Sequence, residues 1–262
     1  MSERVTVLVS EGIADVRLAR PEKLNALDGA MFEALVATGE RLASDRSLRA
    51  VVLSGEGRAF SAGLDVASFL GGGGRDLFAR TGASPANFAQ RAAWVWTELP
   101  VPVVAAVHGV AFGGGLQIAL AADLRIVAPD ARLSVMEIKW GLVPDMSGTQ
   151  TLRRLVRLDV AKELTFTGRI VSGAEAVELG LATRLADSPR EAAFELAREI
   201  AGREPRAVRA AKRVLDASGV IGVEEGLRLE EELQRSLLGK PNQIEAVRAN
   251  AEKRAPRFRD PD

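Results

Sequence analysis

The 262-residue chain has no cysteine, no tyrosine and a single histidine, His108, and its 35 basic and 35 acidic side chains cancel. Each absence closes a class of chemistry. Without thiols there is no disulfide framework, thiolate zinc site, iron–sulfur cluster or cysteine nucleophile. One imidazole excludes a multi-histidine metal centre within the chain, and a Ser–His–Asp device would have to use His108 itself. Zero formal net charge argues against nucleic acid or an anionic membrane as the main partner. The longest apolar run, 101–122, is broken by Pro102, His108, several glycines and Gln117, and falls short of a membrane span. The opening residues, MSERVTVLVSEG, lack the apolar core of a secretory leader, so a cytoplasmic location is expected. Carboxylates and backbone amides are left to do acid–base work.

What is present points to an ordinary globule with a sizeable core, at 47% hydrophobic and 27% charged residues. Length alone suggests one large domain, or one domain with a smaller extension. Val5, Val7 and Val9, then Ile13, Val16 and Leu18, flank Ser10-Glu11-Gly12 and predict a hairpin. A helical pattern starts near Asp28, with Met31, Leu35, Thr38 and Leu42 on one face. Residues 50–54 (AVVLS) and 102–107 (PVVAAV) read as buried strands ending in glycine turns, and 124–128 as another strand. Gly113-Gly114-Gly115 leads into an apolar helix through Ala122. Strand, glycine turn and helix in repetition predict an α/β fold with crossover connections. Beyond Ser147 the texture is helical, over 148–157, 160–167, 173–179, 189–202, 205–216, 223–238 and 241–253. The expected division is a mixed core over 1–200 and a helical region over 201–262. Such a tail, with little core of its own, suits docking on a neighbouring subunit. Gly71–Gly74 reads as a surface loop.

The glycine clusters fail several familiar tests. Gly109-x-x-x-Gly113-Gly114-Gly115 lacks dinucleotide-binding spacing, and no glycine-lysine-serine/threonine phosphate loop occurs. Residues 59–63 (AFSAG) resemble a hydrolase nucleophile elbow with alanine for its first glycine, but His108 would then need an acidic partner from Asp65, Asp76 or Glu98. A different reading fits both clusters. Residues 60–65 (FSAGLD) and 109–118 (GVAFGGGLQI) each follow a buried strand with small residues at a sharp turn. Small residues let a ligand oxygen reach backbone N–H groups. Gly114, in the first helical turn, has a free N–H at the positive end of the dipole. Two such donors aimed at one carbonyl make an oxyanion hole. The same glycines would also serve plain tight turns and close packing.

Taken together, R-P-E-K-L-N-A-L (20–27), F-S-A-G-L-D (60–65), H-G-V-A-F-G-G-G-L-Q-I-A-L (108–120) and G-L-V-P-D-M-S-G-T-Q (141–150) resemble the crotonase superfamily, which contains the enoyl-CoA hydratases and isomerases. F-T-G-R (166–169), A-x-E-L-G-L (176–181) and E-K-R (252–254) continue the pattern in the same order. The resemblance implies a stacked ββα spiral core and a helical C-terminal trimerisation region, with homotrimers often paired into hexamers. It implies an acyl-CoA thioester ligand and no metal or redox cofactor, coenzyme A being part of the substrate. By position it assigns the oxyanion-hole donors to the N–H groups of Ala62 and Gly114. Lys23, Leu24 and Ala26, with Gly63, Leu64 and Asp65, would line the coenzyme A path, and Lys253 would reach a neighbouring subunit's coenzyme A.

The acid–base residues depart from the hydratase pattern. Hydratases of this family carry one glutamate at the position of Gln117 and a second at that of Glu137. Glutamine hydrogen-bonds but takes no proton near neutral pH, so Gln117 is expected to orient a water or the acyl chain. Asp145 stands eight residues after Glu137, where dienoyl-CoA isomerases of the family share a proton shuttle between a glutamate and an aspartate. A straight helix would separate the two by about 12 Å and a strand by about 26 Å. Pairing therefore requires a reversal, for which Gly141 and Pro144 supply the break. Without the resemblance, Glu137 could equally be a surface carboxylate beside Lys139, and Asp145 a turn residue or helix N-cap. Asp65 is expected to brace the turn around Ala62, His108 to pack or hydrogen-bond, and Trp94, Trp96 and Trp140 to form core or pocket wall. Three functions follow: an enoyl-CoA isomerase using Glu137 and Asp145, a hydratase with Gln117 placing water, or an acyl-CoA-binding homologue without catalysis.

Overall fold

The computed structural model describes residues 3–70, 76–80 and 84–261; the expected glycine loop Gly71–Gly74 lies outside the described residues. The first strands, β1 (Val5–Ser10) and β2 (Ile13–Leu18), form the expected antiparallel hairpin, with Val7 opposite Val16. Glu11 and Gly12 turn it with positive φ. A 3₁₀ turn, Pro21–Lys23, leads to α1 (Gly29–Ala43), whose N-cap Asp28 accepts a hydrogen bond from Met31 N at 2.8 Å. Next come β3 (Ala50–Gly55), α2 (Val66–Leu70), α3 (Phe88–Glu98), β4 (Val103–Val107), β5 (Val110–Phe112) and α4 (Gly114–Leu120). They are followed by β6 (Leu124–Val127), β7 (Arg132–Ser134) and a 3₁₀ turn, Glu137–Trp140. The remainder is α5 (Gly148–Leu155), α6 (Leu158–Thr167), β8 (Val171–Ser172), α7 (Gly173–Leu179), β9 (Arg184–Leu185), α8 (Pro189–Ala201), α9 (Pro205–Ala217), α10 (Val223–Leu237) and α11 (Pro241–Ala251). None of these helices is long and apolar enough to cross a membrane.

One sheet runs β1-β2-β3-β4-β6-β9 and is parallel from β2 onward; a second runs β5-β7-β8. Every residue of β3 and β4 is buried, as a parallel sheet covered on both faces requires. Strand alternation divides them. Val51, Leu53, Val103 and Ala105 join the larger core, which also contains Met31, Phe32, Trp96 and Leu116 from helices α1, α3 and α4. Ala50, Val52, Val104 and Ala106 face α8, which presents Ala193, Ala197 and Ala201 at four-residue spacing. This is the mixed α/β architecture expected from the alternation.

Helices α2 and α3 both lie outside the expected elements, although the start of α3 is written as Asn87-Phe88-Ala89-Gln90, a complete capping box. Strands β7, β8 and β9 have two or three residues each, too few for a hydrophobic period to register.

The residues that connect β2 to α1 brace the loop after β3. Leu24 and Asn25 both adopt left-handed φ, at 51° and 54°. Asn25 repays that strain with its side chain, which is wholly buried. Its Oδ1 accepts from Arg20 N at 2.8 Å, while Nδ2 donates to Glu56 O at 2.9 Å and Ala59 O at 2.8 Å. Replacing Asn25 by alanine strands one donor and two acceptors in the interior. The expected loss is about 3 kcal/mol of stability, read as a lower midpoint in urea unfolding; a change below about 0.5 kcal/mol would contradict this bracing role.

Candidate active site

The loops after β3 and β4 are joined backbone to backbone. Phe60 N donates to His108 O, Ser61 N to Val110 O and Phe112 N to Ser61 O, each at 3.0 Å. Glycines permit this approach. A Cβ on Gly63 would lie 2.5 Å from Phe112 O, and one on Gly115 would lie 2.6 Å from Ser61 Cβ. Ser61 is fully buried; its Oγ donates to Asn25 O at 2.8 Å and accepts from Gly63 N at 3.2 Å. His108 Nε2–H donates to Gly57 O at 2.9 Å. The apparent nucleophile elbow is thus a brace, with its serine and the histidine each engaged elsewhere.

The expected donor at Ala62 requires correction. Its N–H is given to Leu24 O at 2.8 Å, so it is not available to a ligand. Two residues on, Leu64 bridges Leu27 in parallel fashion: Leu27 N bonds to Gly63 O at 2.8 Å and Asp65 N to Leu27 O at 3.0 Å. Alternation along an extended chain turns the Leu64 N–H to the opposite side, where no described residue accepts it. That side faces the Gly113–Gly114 turn, since a Cβ on Gly63 would sit 3.6 Å from Gly114 N. Gly113 N donates to Ser134 O, and the Gly114 N–H likewise has no partner among the described residues. The free pair is therefore Leu64 and Gly114. Gly63, with φ of 84°, is the one sequence signal for it: the residue after such a glycine has its amide redirected.

Asp65 is tied to Arg20 Nη1 at 2.8 Å. Its hydrogen bond to Arg20 holds the carboxyl below its ordinary value, helped by Ser68 N and the charges of Arg20 and Lys23. Lys23 is exposed, Leu24 half-buried and Ala26 buried beside this loop. Lys253 stands exposed in the turn after α11, with its N–H donated to Asn250 O. Trp96 is core, and Trp94 lines a surface groove with Pro85, Ala86, Gln90, Ser147 and Gln150. Trp140 is 62% exposed, beside exposed Ile138, Leu142 and Val143.

The chain reversal between Glu137 and Asp145 is present. Gly141 takes left-handed φ and caps the 3₁₀ turn, Leu142 N returns to Glu137 O, and Ser147, also left-handed, precedes α5. Asp145 does not cap that helix; the N-cap position belongs to Ser147, without a side-chain cap bond. One carboxamide pins both ends of the reversal. Gln117 Nε2 donates to Glu137 Oε1 at 2.6 Å, and Gln117 Oε1 accepts from Met146 N and Gly148 N, each at 2.8 Å. The expected role of Gln117, orienting water or acyl chain, is not what these contacts show: its oxygen is wholly occupied by backbone.

Glu137 is 8% exposed, close enough to Gly113 that a Cβ there would meet Oε1 at 3.4 Å. Burial pushes its carboxyl up, against the lowering hydrogen bonds from its own backbone and Gln117, and the nearby Asp145 charge adds to the rise. Oε2 is buried with no hydrogen-bond partner among the described residues. Asp145 is reached by solvent, yet the protein around its carboxyl also raises it. The arrangement offers two free N–H donors and a desolvated, proton-seeking carboxylate on the same glycine turn.

A raised folded value means that the native state holds a proton that the unfolded chain has released. Stability then falls as pH climbs from the ordinary value of 4.5 through the raised one, and stays reduced at neutrality. Glu137→Gln removes that penalty. Its urea midpoint should exceed the parent's at neutral pH, with the difference vanishing in acid below about pH 4.5; equal midpoints at neutrality would refute the raised carboxyl.

Comparison with known proteins agrees over nearly the whole chain. The enoyl-CoA hydratase/isomerase family model matches residues 9–261. The chain is 35% identical over 259 residues to the bovine (Bos taurus) mitochondrial enoyl-CoA hydratase domain-containing protein 2, covering 95% of this chain and 85% of that one. It is 32% identical over 256 residues to the mouse (Mus musculus) mitochondrial Delta(3,5)-Delta(2,4)-dienoyl-CoA isomerase, covering 92% and 77%. Among solved structures, an enoyl-CoA hydratase from Bacillus anthracis superimposes with a TM-score of 0.88 at 30% identity, covering 97% of this chain and 98% of that one. The chain belongs to the enoyl-CoA hydratase/isomerase family of the crotonase superfamily.

Proposed function

We infer that the protein moves a double bond in an unsaturated acyl-CoA, coenzyme A entering only as part of the substrate. The observation that carries this reading is Glu137: a carboxylate against the Gly113–Gly114 turn with one buried, unpartnered oxygen, and an amide rather than a second carboxylate at position 117. The thioester oxygen is held by the N–H groups of Leu64 and Gly114. Each donor lowers the barrier to enolate formation by about 3 kcal/mol. Glu137 takes a proton from the carbon next to the thioester, and the electron pair passes into the enolate. The proton returns two carbons further along, and the double bond has moved into conjugation. Asp145, at the mouth of the reversal, assists the return.

A hydratase is the second reading, favoured by the names carried by the bovine relative and the Bacillus anthracis structure. In it Glu137 handles both proton transfers of water addition. The exposed apolar side chains Leu215, Val220, Val223 and Leu227 of the α9–α10 region, with Ile244 and Val247 of α11, support assembly into trimers through the helical region. In such an assembly Lys253 reaches coenzyme A of a neighbour.

Incubation with 2-enoyl, 3-enoyl and 3,5-dienoyl-CoA esters in D₂O separates the readings by product and isotope position. Conversion of a 3-enoyl to a 2-enoyl ester faster than hydration of the 2-enoyl ester is the expected result. Glu137→Gln should lower that turnover by about 100-fold or more, and Asp145→Asn by about tenfold. Undiminished turnover by Glu137→Gln removes the assignment, and binding without any turnover favours a carrier of acyl-CoA.

A further inference from the structure

Gln117 is 2% exposed and sits on α4, the helix that starts at Gly114. Both lone pairs of its carbonyl oxygen are used, by the N–H groups of Met146 and Gly148. A flipped carboxamide would set its NH₂ against two backbone donors, so the surroundings allow one orientation only. Gly148 is part of that geometry, since a Cβ there would come within 2.6 Å of Gln117 Oε1. With the oxygen fixed, Nε2 is committed to Glu137 Oε1 at 2.6 Å as a donor. Oε1 must therefore always accept. A proton on it would face another N–H across the same short distance.

We propose that Gln117 is a positioning residue that makes Glu137 Oε1 a permanent acceptor and assigns every proton that Glu137 carries to Oε2. This rests on the reading of Glu137 as the base given above. Oε2 is the atom with no described partner. In the double-bond shift the C–H bond next to the thioester breaks, its proton moves to Oε2 and its electron pair enters the enolate. The same proton then forms the new C–H bond two carbons away, the electron pair leaves the enolate, and the carboxylate is restored. No co-reactant is consumed. The same carboxamide fixes the reversal that carries Asp145, so the two carboxylates keep their separation through the cycle.

Gln117→Glu tests the assignment with the least disturbance, because one carboxylate oxygen still accepts from Met146 and Gly148. Only the N–H donor is lost, replaced by an oxygen facing Glu137 Oε1. Two carboxylates that close do not both ionise and must share a proton. The midpoint of the Glu137 carboxyl, followed by ¹³C NMR and identified by its loss in Glu137→Gln, should rise by about one pH unit or more, a tenfold gain in proton affinity. The acid limb of kcat for 3-hexenoyl-CoA should move upward by the same amount, with KM changed less than about threefold. Midpoints left in place, with or without a lower melting temperature, would mean that the side chain at 117 does not face Glu137 Oε1, which overturns the proposal. If the variant does not fold, the wild-type protein still decides. The Gln117 side-chain N–H resonance should shift with the Glu137 titration, and an invariant resonance overturns the proposal equally. A shifted Glu137 midpoint in a protein that turns over no enoyl-CoA would sink the isomerase reading while supporting the proton's place on Oε2.

Discussion

The site depends on a backbone stitch between two loops that follow neighbouring parallel strands. β3 and β4 lie side by side, Leu53 opposite Ala105, and both chains leave the sheet at the same end. From there Phe60, Ser61 and Phe112 donate across the gap, extending the pairing beyond the strands themselves. The constraint is steric before it is chemical. Backbones this close leave no room for a Cβ at Gly63 or Gly115, and a Cβ at Gly109 would lie 2.0 Å from Arg58 O. At Gly63 a side chain would separate the two amides that the turn brings together. The scarcity of reactive side chains is thus compensated by geometry, since the donors belong to the main chain.

Holding those amides still requires that everything around them be satisfied. Asn25 uses its carboxamide on three backbone groups, Ser61 links Asn25 O to Gly63 N, and Arg20 ties Asp65 to the same corner. The left-handed Leu24 and Asn25 direct Leu24 O at Ala62 N. A buried, densely hydrogen-bonded network of this kind is costly to disturb. Glu137 Oε2 is among the few buried side-chain atoms left without a described partner, and burial raises the proton affinity of its carboxyl. Stability and reactivity come from the same low-dielectric surroundings with opposite sign.

Much of this was legible in the sequence. The hairpin, the helix starting near Asp28, the buried strands and the seven helices after Ser147 all follow from local periodicity and punctuation, and the helical spans agree with those of α5 to α11 within two residues at either end. The position of Glu137 and the reversal at Gly141 were readable from motif and turn chemistry. What escaped was non-local. Which amide of FSAGLD is free depends on Leu24 and Leu27, far back in the chain, one of which takes the Ala62 N–H while the other leaves that of Leu64 exposed to the turn. The environment of Gln117 is likewise assembled from residues that are remote in sequence, so its type was visible and its partners were not. Short β7, β8 and β9 carry no periodicity because three residues cannot display one.

Replacing a carboxylate by an amide at position 117 changes what the remaining carboxylate can do. Water addition needs a base for the water and an acid for the carbon, two tasks that two carboxylates divide between separate atoms. With Gln117 clamped by backbone and donating to Oε1, Glu137 retains a single free oxygen, and the second carboxylate, Asp145, stands toward solvent at the far end of the reversal. A double-bond shift asks less. One proton leaves one carbon and reaches another on the same acyl chain, so one oxygen serves both steps, acting first as base and then as acid. Its elevated proton affinity suits that alternation, because a carboxyl that holds its proton more firmly takes it more readily from carbon. On the proposed isomerase reading, the neutral residue that seemed a missing part becomes the reason that one oxygen of Glu137 can carry both steps, with Asp145 only assisting.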